Sequence, residues 1–166
     1  MLVKLLLYSG PRPTLVKMAI DLFLSTSQVH AALIRLAASR LVLNDAREST
    51  PNSRAAEEFL VHGVKYAFPA IRGAVTRGML TSYAAPPLNG QVSGATDLPP
   101  VWPFASGRDR GISLAPLHKM VPLAARADRG LYEMLALLDA LRDGRAREKN
   151  LAEQEIIERV RRSRHA

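Results

Sequence analysis

The chain of 166 residues is predicted to be mainly α with one small β-hairpin, an α+β arrangement. Three observations carry the prediction. Apolar residues recur at helical spacing near the start and again near the end, a short alternating run surrounds Val64–Phe68, and seven of the eleven prolines crowd into the stretch between Ala84 and Pro122. These features divide the chain into a helical segment with the hairpin (1–83), a proline-rich but ordered irregular segment (84–127), and a C-terminal helical segment (128–166).

Composition sets the outer limits. With 48% apolar residues the chain can build a core, and its formal net charge of +8 favours a polyanionic partner, because Lys and Arg that neutralise phosphates release condensed counterions. Cysteine is absent, which removes disulfides, thiolate metal sites and a cysteine nucleophile. The opening run MLVKLLLYSG is too short for a signal peptide or a membrane span, and no stretch of roughly 20 apolar residues occurs. Leu2–Tyr8 is therefore expected to be a first helix. No membrane association is expected, and a cytoplasmic location is consistent with these features.

The stretch Thr14–Val42 carries most of the functional information. Leu15, Met18, Ala19 and Leu22 form one helical face, and Ser25 and Thr26 offer oxygens that can cap a second helix. Val29, Ala32, Leu33 and Leu36 form the answering stripe, so the two helices can pack across a short turn. In this arrangement the second helix can be offered to a DNA groove.

Ala19, Leu24, Ser25 with Thr26, Val29, Leu36 and the exit Arg40-Leu41-Val42 resemble the pattern of bacterial winged helix-turn-helix regulators, the broad group that includes MarR-like proteins. Two positions depart from it. Phe23 stands where the turn often has Gly, and Arg40 where Gly commonly precedes the exit Leu. The segments HGVKYAFPAIRG, LTSYAAPPL, PPVWP and LYEMLALLDALRDGRARE further resemble an uncharacterised group of bacterial helix-turn-helix proteins. By the standard of such domains the first helix is short, and the resemblance leads one to expect either preceding residues or a partner chain to complete it.

On the second helix, Ser27, Ala31, Ile34 and Ala38 are expected to face away from the buried stripe, with Gln28 and Arg35 on one flank and His30 on the other. Gln pairs with adenine, Arg with guanine, Ala or Ile can touch a thymine methyl, and Ser25 and Thr26 at the helix start suit phosphate. The same face could instead pack against another helix. The resemblance implies a wing, and because LNDAREST is polar and Pro51–Gly63 reads as a helix, the wing is expected late. Val64–Phe68 would be its first strand, Pro69–Gly73 its turn and Ala74–Tyr83 its return, with Lys65, Arg72 and Arg77 on phosphate or merely solvated.

In the proline-rich segment Trp102, Phe104, Leu114 and Leu117 are expected to anchor an irregular strap to the domain; PPVWP also reads as a polyproline ligand. Asp128 is positioned to cap a helix in which Leu131, Met134, Leu135, Leu138 and Leu141 repeat at helical spacing to Gly144. A second helix, from Arg145 to about Arg164, carries Ala152, Ile156 and Val160 on one side. The resemblance implies dimerisation through these helices, although the Leu face also suits a monomer core. RDGRARE and the tail RVRRSRH concentrate charge that is either solvated or directed at phosphate.

Catalysis is not expected. Glu58 and His62 are four apart on one helix, but a single carboxylate and imidazole make no site; His118 and Asp97 have no recognisable spacing, and no metalloprotease, phosphate-loop or nucleophile-elbow motif occurs. No cofactor or metal is expected. The resemblance implies a homodimer that binds double-stranded DNA at a palindromic operator and regulates transcription, as a repressor. The alternative is an antitoxin-like or adaptor subunit that uses the winged fold for protein contact.

Overall fold

A computed structural model describes residues 1–8, 10, 12–43, 49–91 and 98–163. Helix α1 (Leu2–Leu7) is central: Leu2, Val3, Leu5 and Leu6 are buried, and so is Lys4. The Lys4 ammonium reaches Asp128 Oδ2 at 2.6 Å and Asp21 Oδ2 at 3.6 Å, joining the N-terminal helices to the C-terminal ones.

Helix α2 (Leu15–Leu22) begins at Thr14, whose hydroxyl accepts the Lys17 N–H, and ends where Phe23 turns left-handed. Helix α3 (Thr26–Ala38) follows after a three-residue turn. Its first turn is held by a reciprocal cap: Ser25 Oγ accepts from Gln28 N and Gln28 Oε1 accepts from Ser25 N. Val29 and Leu33 of α3 close onto Met18 and Ala19 of α2, with Leu5 and Val42 completing this small cluster. The predicted stripe and turn are thus present.

The chain then doubles back at once. Leu43 N donates to Thr50 O (2.8 Å), Asn52 N donates to Leu41 O (3.0 Å), and Val42 bridges Pro51 in antiparallel register. This pairing directly follows α3, so the expectation of a late hairpin is corrected. Residues 44–48 lie outside the described residues. Pro51 belongs to the pairing rather than to a helix start; Asn52 caps helix α4 (Ser53–Glu58).

Gly63 does not end that helix. A π-helical turn (Phe59–Gly63) carries it into α5 (Val64–Ala67), so the predicted wing strand Val64–Phe68 is helical instead. Alternation misled here because burial follows Leu60, Val61 and Val64, while Tyr66 and Phe68 are exposed. The Phe59 ring lies so close that a Cβ on Gly63 would stand 2.8 Å from it.

The proline-rich segment contributes two strands that were not expected, within otherwise irregular described stretches. Strand β1 (Arg72–Leu80) pairs antiparallel with both β2 (Pro100–Pro103) and β3 (Asp109–Leu114), and β2 pairs parallel with β3, closing a three-stranded unit. The prolines of β2 sit at its two ends and contribute carbonyls: Pro100 O accepts from Thr81 N at 3.0 Å. The expected return strand therefore exists with different partners, and its ladders cross the predicted boundary at 83/84. Trp102 and Leu114 are buried as expected, whereas Phe104 and Leu117 are half-buried.

Pro122 lies in the first turn of α6 (Val121–Ala127). Asp128 caps α7 (Arg129–Asp143), accepting the Leu131 N–H at 3.0 Å. Helix α8 (Ala146–Arg162) lays Ala152, Ile156 and Val160 into the main core, which runs from Leu2 of α1 through α7 to Val160. Leu131, Met134, Leu135, Leu138 and Leu141, read as a dimerisation stripe, are all buried inside this one chain. They are part of this chain's own core. The result is a mainly helical α+β fold around α7. No described helix is long and apolar enough to cross a membrane.

Candidate nucleic-acid interface

The α2–α3 unit sits on a core cluster of its own, beside the larger one built around α7. Thr26, Ser27, His30, Ile34, Arg35 and Ala38 are exposed along α3. Ser25 is exposed too, but its hydroxyl is used in the cap. Two expected readers are placed differently. Ala31 is half-buried and lines a cleft instead of facing away, and Gln28 spends its Oε1 on the Ser25 N–H. A bidentate contact to adenine needs both ends of the amide, so the cap competes with it.

The cleft runs along one flank of α3, between it and the α7 body, with a volume of about 580 Å³. Ala31, Ala32 and Leu36 form one wall; Phe59, Val64, Val121 and Leu135 form the other. Helix α3 packs chiefly on α2 through Val29 and Leu33, while its Leu36 also reaches the main core. Arg35, Ser39 and His118 also line it, so Arg35 stands where α3's exposed face meets the cleft. His118 Nδ1 accepts the Met120 N–H at 3.2 Å.

The three cations assigned to a wing lie on two different elements and not on one hairpin. Lys65 is on α5, its ammonium 5.3 Å from the Tyr66 ring. Arg72 is bound to Asp143 of α7, with Nη2 to Oδ2 at 2.8 Å, and this ion pair holds its pKa above the ordinary value against the opposing effect of burial. Arg77 is exposed on β1. The pairing of Leu41–Leu43 with Thr50–Asn52 now takes the place next to α3. Arg40, which precedes it, is exposed and was not among the expected DNA contacts; the polar stretch bounded by Val42 and Pro51 is the sequence signal for it.

The basic segments near the C-terminus are largely neutralised within the chain. Arg142 is buried, its Nη1 2.6 Å from Asp139 Oδ1, while its other nitrogens donate to the carbonyls of Phe68, Pro69 and Ala115. Asp139 Oδ2 accepts in addition from Thr81 Oγ1 (2.7 Å) and Trp102 Nε1 (2.6 Å). Burial raises the Asp139 pKa, while Arg142 and the two donors oppose that rise. This network fastens the three-stranded unit to α7, so Arg142 is a clamp and not a solvated cation. In the tail, Arg159 pairs with Glu133 at 2.8 Å and with Glu155, Arg161 with Glu57 at 3.3 Å, and Arg162 with Glu158. Residues 164–166 and Asp97 lie outside the described residues.

Glu58 and His62 are both exposed, on α4 and the π-helical turn. Among the described residues no group of three or more His, Asp or Glu side chains is placed to hold a metal ion. Comparisons of the chain with protein-family models, with curated proteins and with solved structures found no match.

Proposed function

We propose that this protein binds double-stranded DNA through α3 and regulates transcription in that way. The observation that supports the reading is the α2–α3 pair itself: a capped helix packed on its predecessor by Val29 and Leu33, with Ser27, His30, Ile34 and Arg35 left to solvent. A helix held on one side and bare on the other suits a major groove. The paired segment that follows, with Arg40 at its entrance, suits the flanking phosphates. Since the α7 leucines are interior, binding to a palindromic operator would bring two chains together through some other surface.

The test is an anisotropy titration of duplex DNA from upstream of the protein's own gene against a scrambled duplex. Preference for the native fragment that falls about tenfold or more in Arg35→Gln supports the reading, since a guanine contact is worth about 1–3 kcal/mol. Equal affinity for both duplexes, unchanged by Arg35→Gln and His30→Ala, overturns it.

One observation favours the adaptor reading as a second reading. Val16 and Ile20 on the outer face of α2, and Phe23 just past its end, are exposed apolar side chains at 58, 64 and 44%. Substituting Ile20 by Glu separates the two: an adaptor loses its protein partner, while a DNA reader keeps its preference.

A further inference from the structure

Two arginines face each other directly on the three-stranded unit. Arg77 of β1 and Arg110 of β3 are Cα partners in the antiparallel ladder, so their side chains leave the same face, with Cβ atoms roughly 5 Å apart in a pair of this kind. Both are exposed, and among the described residues neither has an ion-pair partner. The nearest carboxylate in sequence, Asp109, pairs with Gly78 and by strand alternation belongs to the opposite face. Like charges placed directly opposite weaken a sheet. Any neutral polar residue would remove that cost at either position, because both side chains already point to water.

The cluster extends beyond the pair. Phe104 N–H donates to Arg77 O at 3.2 Å, and the Phe104 ring carries the Arg126 guanidinium 5.4 Å from its centroid. Arg108 and Arg126 are exposed as well, again with no ion-pair partner among the described residues. These four arginines are distributed over β1, β3, the turn that precedes β3, and α6. That distribution fits a repeating anion better than one small phosphate, and guanidinium groups hold phosphate oxygens in bidentate fashion.

We propose that Arg77 and Arg110, with Arg108 and Arg126 beside them, form a second phosphate-backbone surface for nucleic acid, independent of base sequence and separate from α3. The surface deepens the DNA-binding reading and rests on it only for the identity of the polyanion. The like-charge pair weakens the free fold and is relieved when phosphate lies across it.

The experiment uses the full chain and its R77Q/R110Q variant, titrated with a labelled scrambled duplex over a series of salt concentrations. In the variant the slope of log K against log salt should fall by about 2, with at least a tenfold loss of affinity at low salt, since each lost phosphate contact removes about 0.9 from the slope. The free variant should melt at a higher temperature than the parent. Unchanged slope and affinity overturn the proposal, as does a lowered melting temperature, which would make the pair structural. Should the parent bind no duplex, the α3 reading fails by itself. Inorganic polyphosphate then tests the surface: parent binding that R77Q/R110Q reduces supports it, and absence of binding overturns it.

Discussion

Phe23 and Arg40 bracket α3 with the same left-handed backbone, φ 54° and 56°. A side chain in that conformation costs roughly 1–2 kcal/mol, and glycine avoids it at some expense in unfolded-state entropy. Arg40 is exposed, so its replacement loses little packing. Arg40→Gly should therefore stabilise the fold by about 0.5–1 kcal/mol, read as a higher urea midpoint with an unchanged m-value. A lowered midpoint would mean that the arginine side chain itself secures the exit from α3. DNA affinity is expected to move the opposite way, because a phosphate partner is lost.

The network at Asp139 predicts graded losses. Asp139→Asn leaves the buried Arg142 guanidinium without its counter-charge and should cost about 3–5 kcal/mol. Thr81→Val removes one donor from a carboxylate that retains Trp102 and Arg142, and should cost only about 1–2 kcal/mol. Urea unfolding of both variants checks the order. Equal costs would show that Arg142 is held by the carbonyls of Phe68, Pro69 and Ala115 and not by Asp139.

Those two sites also show where sequence reading succeeds and where it stops. The α2–α3 pair was legible because its information is local: Ser25 before the helix, Val29 and Leu33 on one face, Met18 and Ala19 opposite. The Asp128 cap and the α7 and α8 stripes were legible for the same reason. The three-stranded unit was not, because β1 finds its partners across many residues and β2 is bounded by prolines that argue against a strand. Val64–Phe68 deceived because an alternating pattern of a few residues also fits one turn of helix. On α3, exposure of Ser27 and Ile34 follows from periodicity, but the cleft at Ala31 depends on how distant α7 and the π-helical turn sit.

Closure of the three-stranded unit depends on backbones that approach without side chains. A Cβ on Gly78 would lie 2.1 Å from Trp102 O, and one on Gly111 would lie 1.9 Å from Pro99 O. Carbonyls fixed in ladders cannot move aside, so Gly78→Ala or Gly111→Ala should cost more than about 3 kcal/mol or prevent folding. Gly73→Ala is the control, since its new methyl meets Ser113 at an ordinary 3.4 Å and should change stability by less than about 1 kcal/mol. Thermal melts of the three variants decide the matter, and a tolerated Gly111→Ala would exclude the closed arrangement.

Leu138 tests the assignment of the α7 stripe to the interior. It is 1% exposed, so Leu138→Ala should cost about 2–5 kcal/mol through lost transfer energy and the cavity left behind. Because the stripe is filled from within one chain, that loss should be the same at micromolar and at tenfold higher protein concentration. A stability that recovers with concentration would return these leucines to an intersubunit contact.

Lys4 makes acid sensitivity a property of the whole fold. Burial by itself would raise the pKa of Asp128, but the hydrogen bonds from Lys4 Nζ and the Leu131 N–H outweigh it and hold the carboxyl below its ordinary value. Asp21 is lowered likewise, burial again opposing, by hydrogen bonds from Lys17 and Tyr8 and by the charge of Lys4. A carboxyl depressed in the folded state stabilises it above the unfolded pKa of about 4, and that contribution disappears as pH falls through the folded value. Melting temperature should thus be nearly level from pH 7 to about 5 and decline below about 4. Lys4→Met keeps the buried stem but removes the charge, at a cost of about 1.5–3 kcal/mol near neutrality. Its melting curve should fall less steeply with acid and converge on the parent's at low pH, where both carboxyls are protonated in either protein. Parallel curves would show that the ion pair at Lys4 contributes nothing that titrates, leaving the apolar packing of Leu2, Val3, Leu5 and Leu6 to hold α1.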